Sequence, residues 1–338
     1  MSTQTANIGT APGLVGALGA GRMGRGIALA FALAGSKVVL LDIKQRDPIA
    51  EAQLEDDTRA ELYANLTMLA ELGVLRVERI EPVINRIHFA NRHAAPDWLG
   101  RLDLVFEGVP ETLEAKSEAF EYACRYLPED ALLASTSSTM LSSELAKLVT
   151  HPIRFLNAHW LNPAYLIPLV ELSPHADTAP QAIRNLIAVL EGIGKTPVVC
   201  AARPGYIVPR LQSLIMNEAA RMIEEGVATA EDIDKATRYG FGIRYAAMGV
   251  VEFIDFGGVD ILCYASRYLS SRLESERYAC PSIIERKMAE NNIGLKSGKG
   301  FYDWRSRDPV AYQHQALGYM VDLLRLNAML PLRDGINM

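Results

Sequence analysis

A six-residue glycine pattern, Gly19-Ala20-Gly21-Arg22-Met23-Gly24, narrows the possible folds more than any other feature of the chain. It stands between an apolar run, Leu14–Leu18, that reads as a buried strand and a stretch with Ile27, Ala30, Phe31 and Ala34 on one helical face. That helix is expected to end at Gly35, and a second strand, Lys37–Leu41, leads into Asp42. In such a strand-turn-helix the first glycine makes the tight turn, the second admits a pyrophosphate to the backbone, and the third lets helix pack on strand. The helix start then offers unpaired N–H groups to the phosphates. Asp42 falls where a carboxylate accepts hydrogen bonds from an adenosine ribose, and its charge repels a 2′-phosphate. The expected ligand is therefore NAD rather than NADP, despite Lys44 and Arg46 nearby.

The rhythm of the next two hundred residues agrees. Asp103–Phe106, Ala131–Ala134, Arg154–Ala158 and Leu169–Leu172 read as further buried strands between helix-like stretches, the mark of βα units and a mainly parallel, doubly wound sheet. A long helical insertion is expected between Asp47 and Arg86, carrying Leu54, Leu62, Leu66, Leu69 and Leu72. After Val198-Val199-Cys200 strand signals fade, and Pro204-Gly205 breaks the chain. From Tyr206 to Gly226 apolar residues recur at helical spacing, with Gly226 as a C-cap and Thr229 opening the next helix. The expected organisation is a disordered leader over 1–12, a Rossmann-type α/β domain over 13–202, and an all-helical domain over 203–338.

A length of 338 residues suits two domains. A formal charge of −6 leaves no electrostatic footprint for nucleic acid. No apolar stretch is long enough to span a membrane, and the first residues lack the basic start and apolar run of a secretory signal. The four cysteines have no metal-ligand spacing and read as core thiols of a reducing compartment. No metal is expected, and the expected location is cytoplasmic.

His159-Trp160-Leu161-Asn162-Pro163 follows directly on the strand ending at Ala158. Twelve residues on, Glu171 interrupts the apolar run Leu169-Val170-Glu171-Leu172. A carboxylate there is costly to bury without a partner. A histidine suits, because with an ordinary pKa of about 6.5 it accepts protons near neutral pH. The other five histidines, His88, His93, His151, His175 and His314, lie among polar neighbours and read as surface. Ser135-Thr136-Ser137-Ser138-Thr139 follows the strand Ala131–Ala134, at the carboxyl edge where doubly wound sheets collect ligands. These hydroxyls suit a substrate oxygen or the nicotinamide amide, or else cap the helix that follows.

Together these residues resemble the L-3-hydroxyacyl-CoA dehydrogenases and their relatives, which include 3-hydroxybutyryl-CoA, L-gulonate (lambda-crystallin) and carnitine dehydrogenases. The resemblance runs from Val15 to Trp304. It rests on the glycine pattern, Phe106-Glu107-Gly108-Val109-Pro110-Glu111, Ser135–Ser138, His159–Pro163 with Glu171, Arg203-Pro204-Gly205-Tyr206-Ile207, and Lys296-Ser297-Gly298-Lys299-Gly300-Phe301-Tyr302. It implies that His159 is the general base held by Glu171, that Ser138 bonds the reacting oxygen, and that Asn162 lies by the substrate. It also implies Glu107, Glu111, Lys116 and Thr136 by the cofactor, hydride transfer between substrate C3 and nicotinamide C4, and a homodimer formed by the helical domain. One departure stands out. Where the family carries an Asn that donates to the substrate oxygen, this chain has Pro209, which has no donor.

The family's commoner use points to a 3-hydroxyacyl-CoA. Two features point instead to a free 3-hydroxy acid. The insertion that is lysine-rich in CoA-using relatives here carries Glu51, Glu55, Asp56, Asp57 and Glu61, with Arg59 the lone base between Ala50 and Leu75. Phe241-Gly242-Ile243-Arg244-Tyr245-Ala246 is similar to a segment of gulonate and carnitine dehydrogenases, and Arg244 suits a bidentate clamp on a carboxylate. A third reading, a non-catalytic NAD-binding protein, draws support from Pro209 alone.

Overall fold

The computed structural model describes residues 13–330; the leader expected over 1–12 lies outside them. Eight strands are present: β1 (Leu14–Leu18), β2 (Lys37–Leu41), β3 (Ile87–Ala90), β4 (Leu104–Glu107), β5 (Leu132–Ser135), β6 (Phe155–Trp160), β7 (Leu169–Pro174) and β8 (Thr196–Val199). They form one sheet in the order β3-β2-β1-β4-β5-β6-β7-β8. Pairing is parallel from β3 through β6, β7 runs antiparallel to β6, and β8 is parallel to β7.

Period-two alternation makes both faces of this sheet apolar, as a sheet covered on both sides requires. Val15, Ala17, Val38, Leu40, Phe106 and Leu156 pack with Phe31 of α1 (Arg22–Leu33). The opposite set, Leu18, Val39, Leu41, Val105, Leu133 and Phe155, packs with Ala119, Phe120 and Ala123 from the helix Leu113–Cys124. The expected insertion contains α2 (Pro48–Glu71), capped by Asp47, whose side chain accepts from the Ile49 and Ala50 amides. Leu62, Leu66 and Leu69 of α2 bury against Leu29, Ile80 and Ile84. That helix-on-helix cluster accounts for the mixed three-to-four leucine spacing. The helix Leu113–Cys124 is α3, and Pro180–Gly192 is α4.

Among the surface histidines expected from sequence, His175 is a correction. It is buried, its Nε2 lies 2.8 Å from the Pro152 carbonyl, and its ring lies against Phe155. The polar neighbours that suggested exposure belong to a turn folded back on β6.

The chain divides into two compact units after Ile215, within α5 (Val208–Glu224), whereas the sequence suggested a boundary near Arg203. The second unit is helical: α6 (Ala230–Lys235), a π-helical turn over Ala236–Gly242, α7 (Ile243–Ala247), α8 (Val250–Gly257), α9 (Val259–Arg272), α10 (Ser282–Ala289) and α11 (Pro309–Leu326). Thr229 caps α6 by accepting from the Asp232 amide. Val259, Cys263 and Ile284 form its small apolar centre. The motif ending in Phe301-Tyr302 wraps the buried carboxylate of Asp255 in α8, which accepts from the Phe301 and Tyr302 amides and the Trp304 indole at 2.8–2.9 Å. Each of these donors would cost about 1–3 kcal/mol if left buried and unpaired, so the motif serves the fold of this unit.

Candidate active site

The alternation that fills the core also lines up a polar row. Glu107 ends β4, Ser135 ends β5, and Asn157 and His159 lie near the end of β6. In the sheet register Glu107 pairs with Ser135, Ser135 with Asn157, and His159 with Glu171. All five are buried. Their shared face and strand-end position put them where a doubly wound sheet binds ligands.

His159 and Glu171 are brought together by the antiparallel β6–β7 pair, with Nδ1 of the imidazole 2.8 Å from Oε2 of the carboxylate. The other carboxylate oxygen accepts from the Ile207 and Val208 amides at 2.9 and 2.8 Å. These are the free donors at the start of α5, and they satisfy one oxygen of a carboxylate that is wholly buried. The hydrogen-bond network assigns the Nδ1 proton to the bond with Glu171, leaving the Nε2 lone pair without a partner among the described residues. An imidazole held this way can take a proton from a hydroxyl while the carboxylate stabilises the imidazolium. Pro209 sits in the first turn of α5, where its missing N–H costs no intrahelical bond.

Four supporting groups carried no sequence signal for this role. The Tyr206 ring stacks on His159, with centroids 5.1 Å apart and planes within 7°. Its hydroxyl donates to the Ser137 carbonyl and accepts from Asn157, while burial pushes its pKa up. Lys195 donates to the Ala164 and Ile167 carbonyls at 2.7 and 2.8 Å and so ties down the connection between β6 and β7. Burial lowers its ammonium to about 8. The last two are the Ile207 and Val208 amides.

Glu107, Lys116 and Glu111 bond chiefly to one another and to the hydroxyl-rich loop. The Lys116 ammonium is fully buried, 3.0 Å from Glu107 and 3.2 Å from Glu111. Glu107 also accepts from Ser135 and the Val109 amide. Glu111 accepts from the Ser137 and Thr139 hydroxyls and the Ser138 and Thr139 amides. Burial opposes ionisation of Glu111, but the Ser137 bond, the Lys116 charge and the Thr139 bonds prevail and hold it at about 2. This network fixes the loop after β4 against the loop after β5. Ser138 is left with its hydroxyl exposed, next to the Ser137 carbonyl that Tyr206 holds. Thr136 is half-buried and near Gly108, and Asn162 is exposed.

The glycine pattern opens onto a cavity of about 440 Å³, lined among others by Gly19, Gly21, Asp42, Lys44, Arg46 and Gly108. It lies between β1 and β4, where the strand order reverses. Gly19 has φ +104°, open to glycine at little cost. A Cβ on Gly24 would come within 1.9 Å of the Gly19 carbonyl. These positions leave a backbone-lined approach with free amides at the start of α1, a cradle that fits a dinucleotide diphosphate. Arg22 is exposed and Met23 half-buried at that helix start.

Residues 14–203 match the family model of the 3-hydroxyacyl-CoA dehydrogenase NAD-binding domain, and residues 205–304 match that of its C-terminal domain. The chain belongs to the 3-hydroxyacyl-CoA dehydrogenase family. It is 33% identical over 297 residues to 3-hydroxybutyryl-CoA dehydrogenase of Bradyrhizobium diazoefficiens, covering 88% of this chain and 97% of that one. It is 28% identical over 310 residues to 5-formyl-3-hydroxy-2-methylpyridine 4-carboxylate 5-dehydrogenase of Mesorhizobium japonicum, covering 91% and 96%. Among solved structures, a 3-hydroxyacyl-CoA dehydrogenase of Archaeoglobus fulgidus superposes with a TM-score of 0.75 at 30% identity, over 94% of this chain and all of the other. The protein is an NAD-dependent dehydrogenase of the 3-hydroxyacyl-CoA and 3-hydroxy acid class. No helix among the described residues is long and apolar enough to cross a membrane.

Proposed function

We propose that this dehydrogenase oxidises the 3-hydroxyl of a free 3-hydroxy carboxylic acid, with His159 as general base. The observation that carries the substrate class is the charge of α2, which holds Glu51, Glu55, Asp56, Asp57, Glu61 and Glu71 against the lone cation Arg59. CoA brings several phosphate charges, and an acidic wall where CoA-using relatives have lysines repels them. Arg244 adds to this reading. Its Nε donates to the Gly240 carbonyl and its guanidinium lies 5.0 Å from the Phe253 ring centroid, yet it has no carboxylate partner among the described residues. The Mesorhizobium relative is named for a substrate with a free carboxylate. The helix α11 lies beyond the residues matched by the two family models.

In this reading Gly19, Gly21, Arg22, Met23, Gly24 and Asp42 hold NAD, which when bound accepts the hydride from C3. His159 Nε2 takes the hydroxyl proton, Glu171 stabilises the resulting imidazolium, and the exposed Ser138 hydroxyl orients the reacting oxygen. Glu107, Glu111 and Lys116 set the two loops that border the nicotinamide end, with Thr136 between them. Pro209 leaves no side-chain donor at the family's Asn position, so polarisation of the oxygen falls to His159 and Ser138. Arg244 clamps the carboxylate.

The test is NADH formation from a panel of free 3-hydroxy acids beside 3-hydroxybutyryl-CoA. Free acids should be turned over and the thioester poorly used. Efficient use of the thioester with no activity on any acid would overturn the substrate class.

A homodimer is part of the same proposal. Along α5, Leu211, Leu214, Ile215, Met216 and Ile223 are exposed, as are Ile261, Tyr264 and Tyr268 of α9. Apolar rows of this kind are normally covered. Light scattering should give twice the chain mass, and a monomer at micromolar concentration would count against it.

A further inference from the structure

The rim of the dinucleotide cavity carries more positive charge than a site read by Asp42 alone would need. Asp42 is buried at the end of β2, and its Oδ2 accepts from Arg46 Nε at 2.6 Å. Three cations and two acids border the cavity: Arg25, Lys44, Arg46, Asp42 and Glu118. Arg25 is engaged, its Nε on the Ala20 carbonyl and its Nη1 paired with Glu61. Glu118 faces Arg92 at 3.3 Å. Lys44 is exposed and has no carboxylate partner among the described residues. The end of β2 thus has one carboxylate beside two cations, and one of those cations is bonded to it.

A ribose 2′-hydroxyl and a ribose 2′-phosphate ask opposite things of this cluster. The hydroxyl donates to Asp42, whereas the phosphate is repelled by Asp42 and attracted by Arg46 and Lys44. We propose that Arg46 is a specificity-determining residue for the cofactor. By neutralising Asp42 it weakens the rejection of the 2′-phosphate, and together with Lys44 it supplies the attraction the site has for NADPH. The Asp42 carboxylate keeps NAD preferred, and the basic pair behind it makes the preference a balance between adjacent groups. The inference rests on the ribose lying at Asp42 and is independent of the substrate class.

Direct titration of NADH and of NADPH, followed by quenching of tryptophan fluorescence, reads this balance without turnover. R46M should weaken NADPH about 10-fold more than NADH, the size expected for losing one charge-assisted hydrogen bond. D42A should weaken NADH and tighten NADPH, each by about 10-fold on the same grounds, and D42A/R46M should lose the NADPH gain. The proposal is overturned if the double variant binds NADPH as tightly as D42A. If D42A does not fold, R46M decides alone, and an unchanged NADPH-to-NADH ratio overturns it. Unchanged NADH affinity in a folded D42A would fail differently, by removing the ribose from Asp42 altogether.

Discussion

Replacing His159 by alanine should lower kcat by about 10²–10⁴-fold, the usual worth of a positioned general base, while NADH affinity stays within a few-fold of the parent. The separation follows from geometry. His159 bonds Glu171 and stacks on Tyr206, and the glycine cradle is built from β1, β4 and the start of α1. Loss of the imidazole also removes one of three partners from a buried carboxylate, but the Ile207 and Val208 amides remain on its other oxygen. A folded variant is therefore expected, and thermal melting checks it. A folded variant within a few-fold of parental turnover would take His159 out of the mechanism.

What could be read from residues and what could not divides along physical lines. The βα rhythm was legible because buried parallel strands are short and almost wholly apolar, as in Leu14–Leu18 and Lys37–Leu41. Ile87–Ala90 was not. It has four residues, exposes His88 and follows the helical insertion without a break. Thr196–Val199 carries Pro197, which demotes a run to a sheet edge, and β8 is that edge. His159 and Glu171 could be paired by elimination, since a carboxylate in an apolar strand needs a partner. The antiparallel turn of β7 that sets them in register left no mark in composition. The network of Glu107, Glu111 and Lys116 was read by resemblance as cofactor contacts, and its inward pairing was hidden because Glu111 meets Ser137 and Thr139 across 26 and 28 positions. Tyr206 was hidden for the same reason. Its hydroxyl reaches Asn157 across 49 positions and Ser137 across 69, distances over which no periodicity speaks.

Arg244→Met should raise KM for a free 3-hydroxy acid by roughly 10²-fold, equivalent to the loss of about 3 kcal/mol from a charge-assisted bidentate pair. Turnover at saturation should change much less, because the carboxylate of the substrate bears the same charge in ground and transition states. The local cost of the substitution is small. It removes one hydrogen bond to the Gly240 carbonyl and a contact with Phe253, both at an exposed position on α7. Arg244→Lys sharpens the result, since it keeps the charge and loses the planar fork, and should recover only part of the affinity. A 3-hydroxyacyl thioester has no free carboxylate on its acyl group, so neither variant should affect its KM. Charge reversal on α2 provides an independent contrast. Replacing Glu55, Asp56 and Asp57 by lysine should improve use of 3-hydroxybutyryl-CoA while leaving KM for the free acid unchanged. If instead R244M leaves KM for every free acid within a few-fold of the parent, no carboxylate is held there. The acidity of α2 would then be the remaining support for a substrate without CoA.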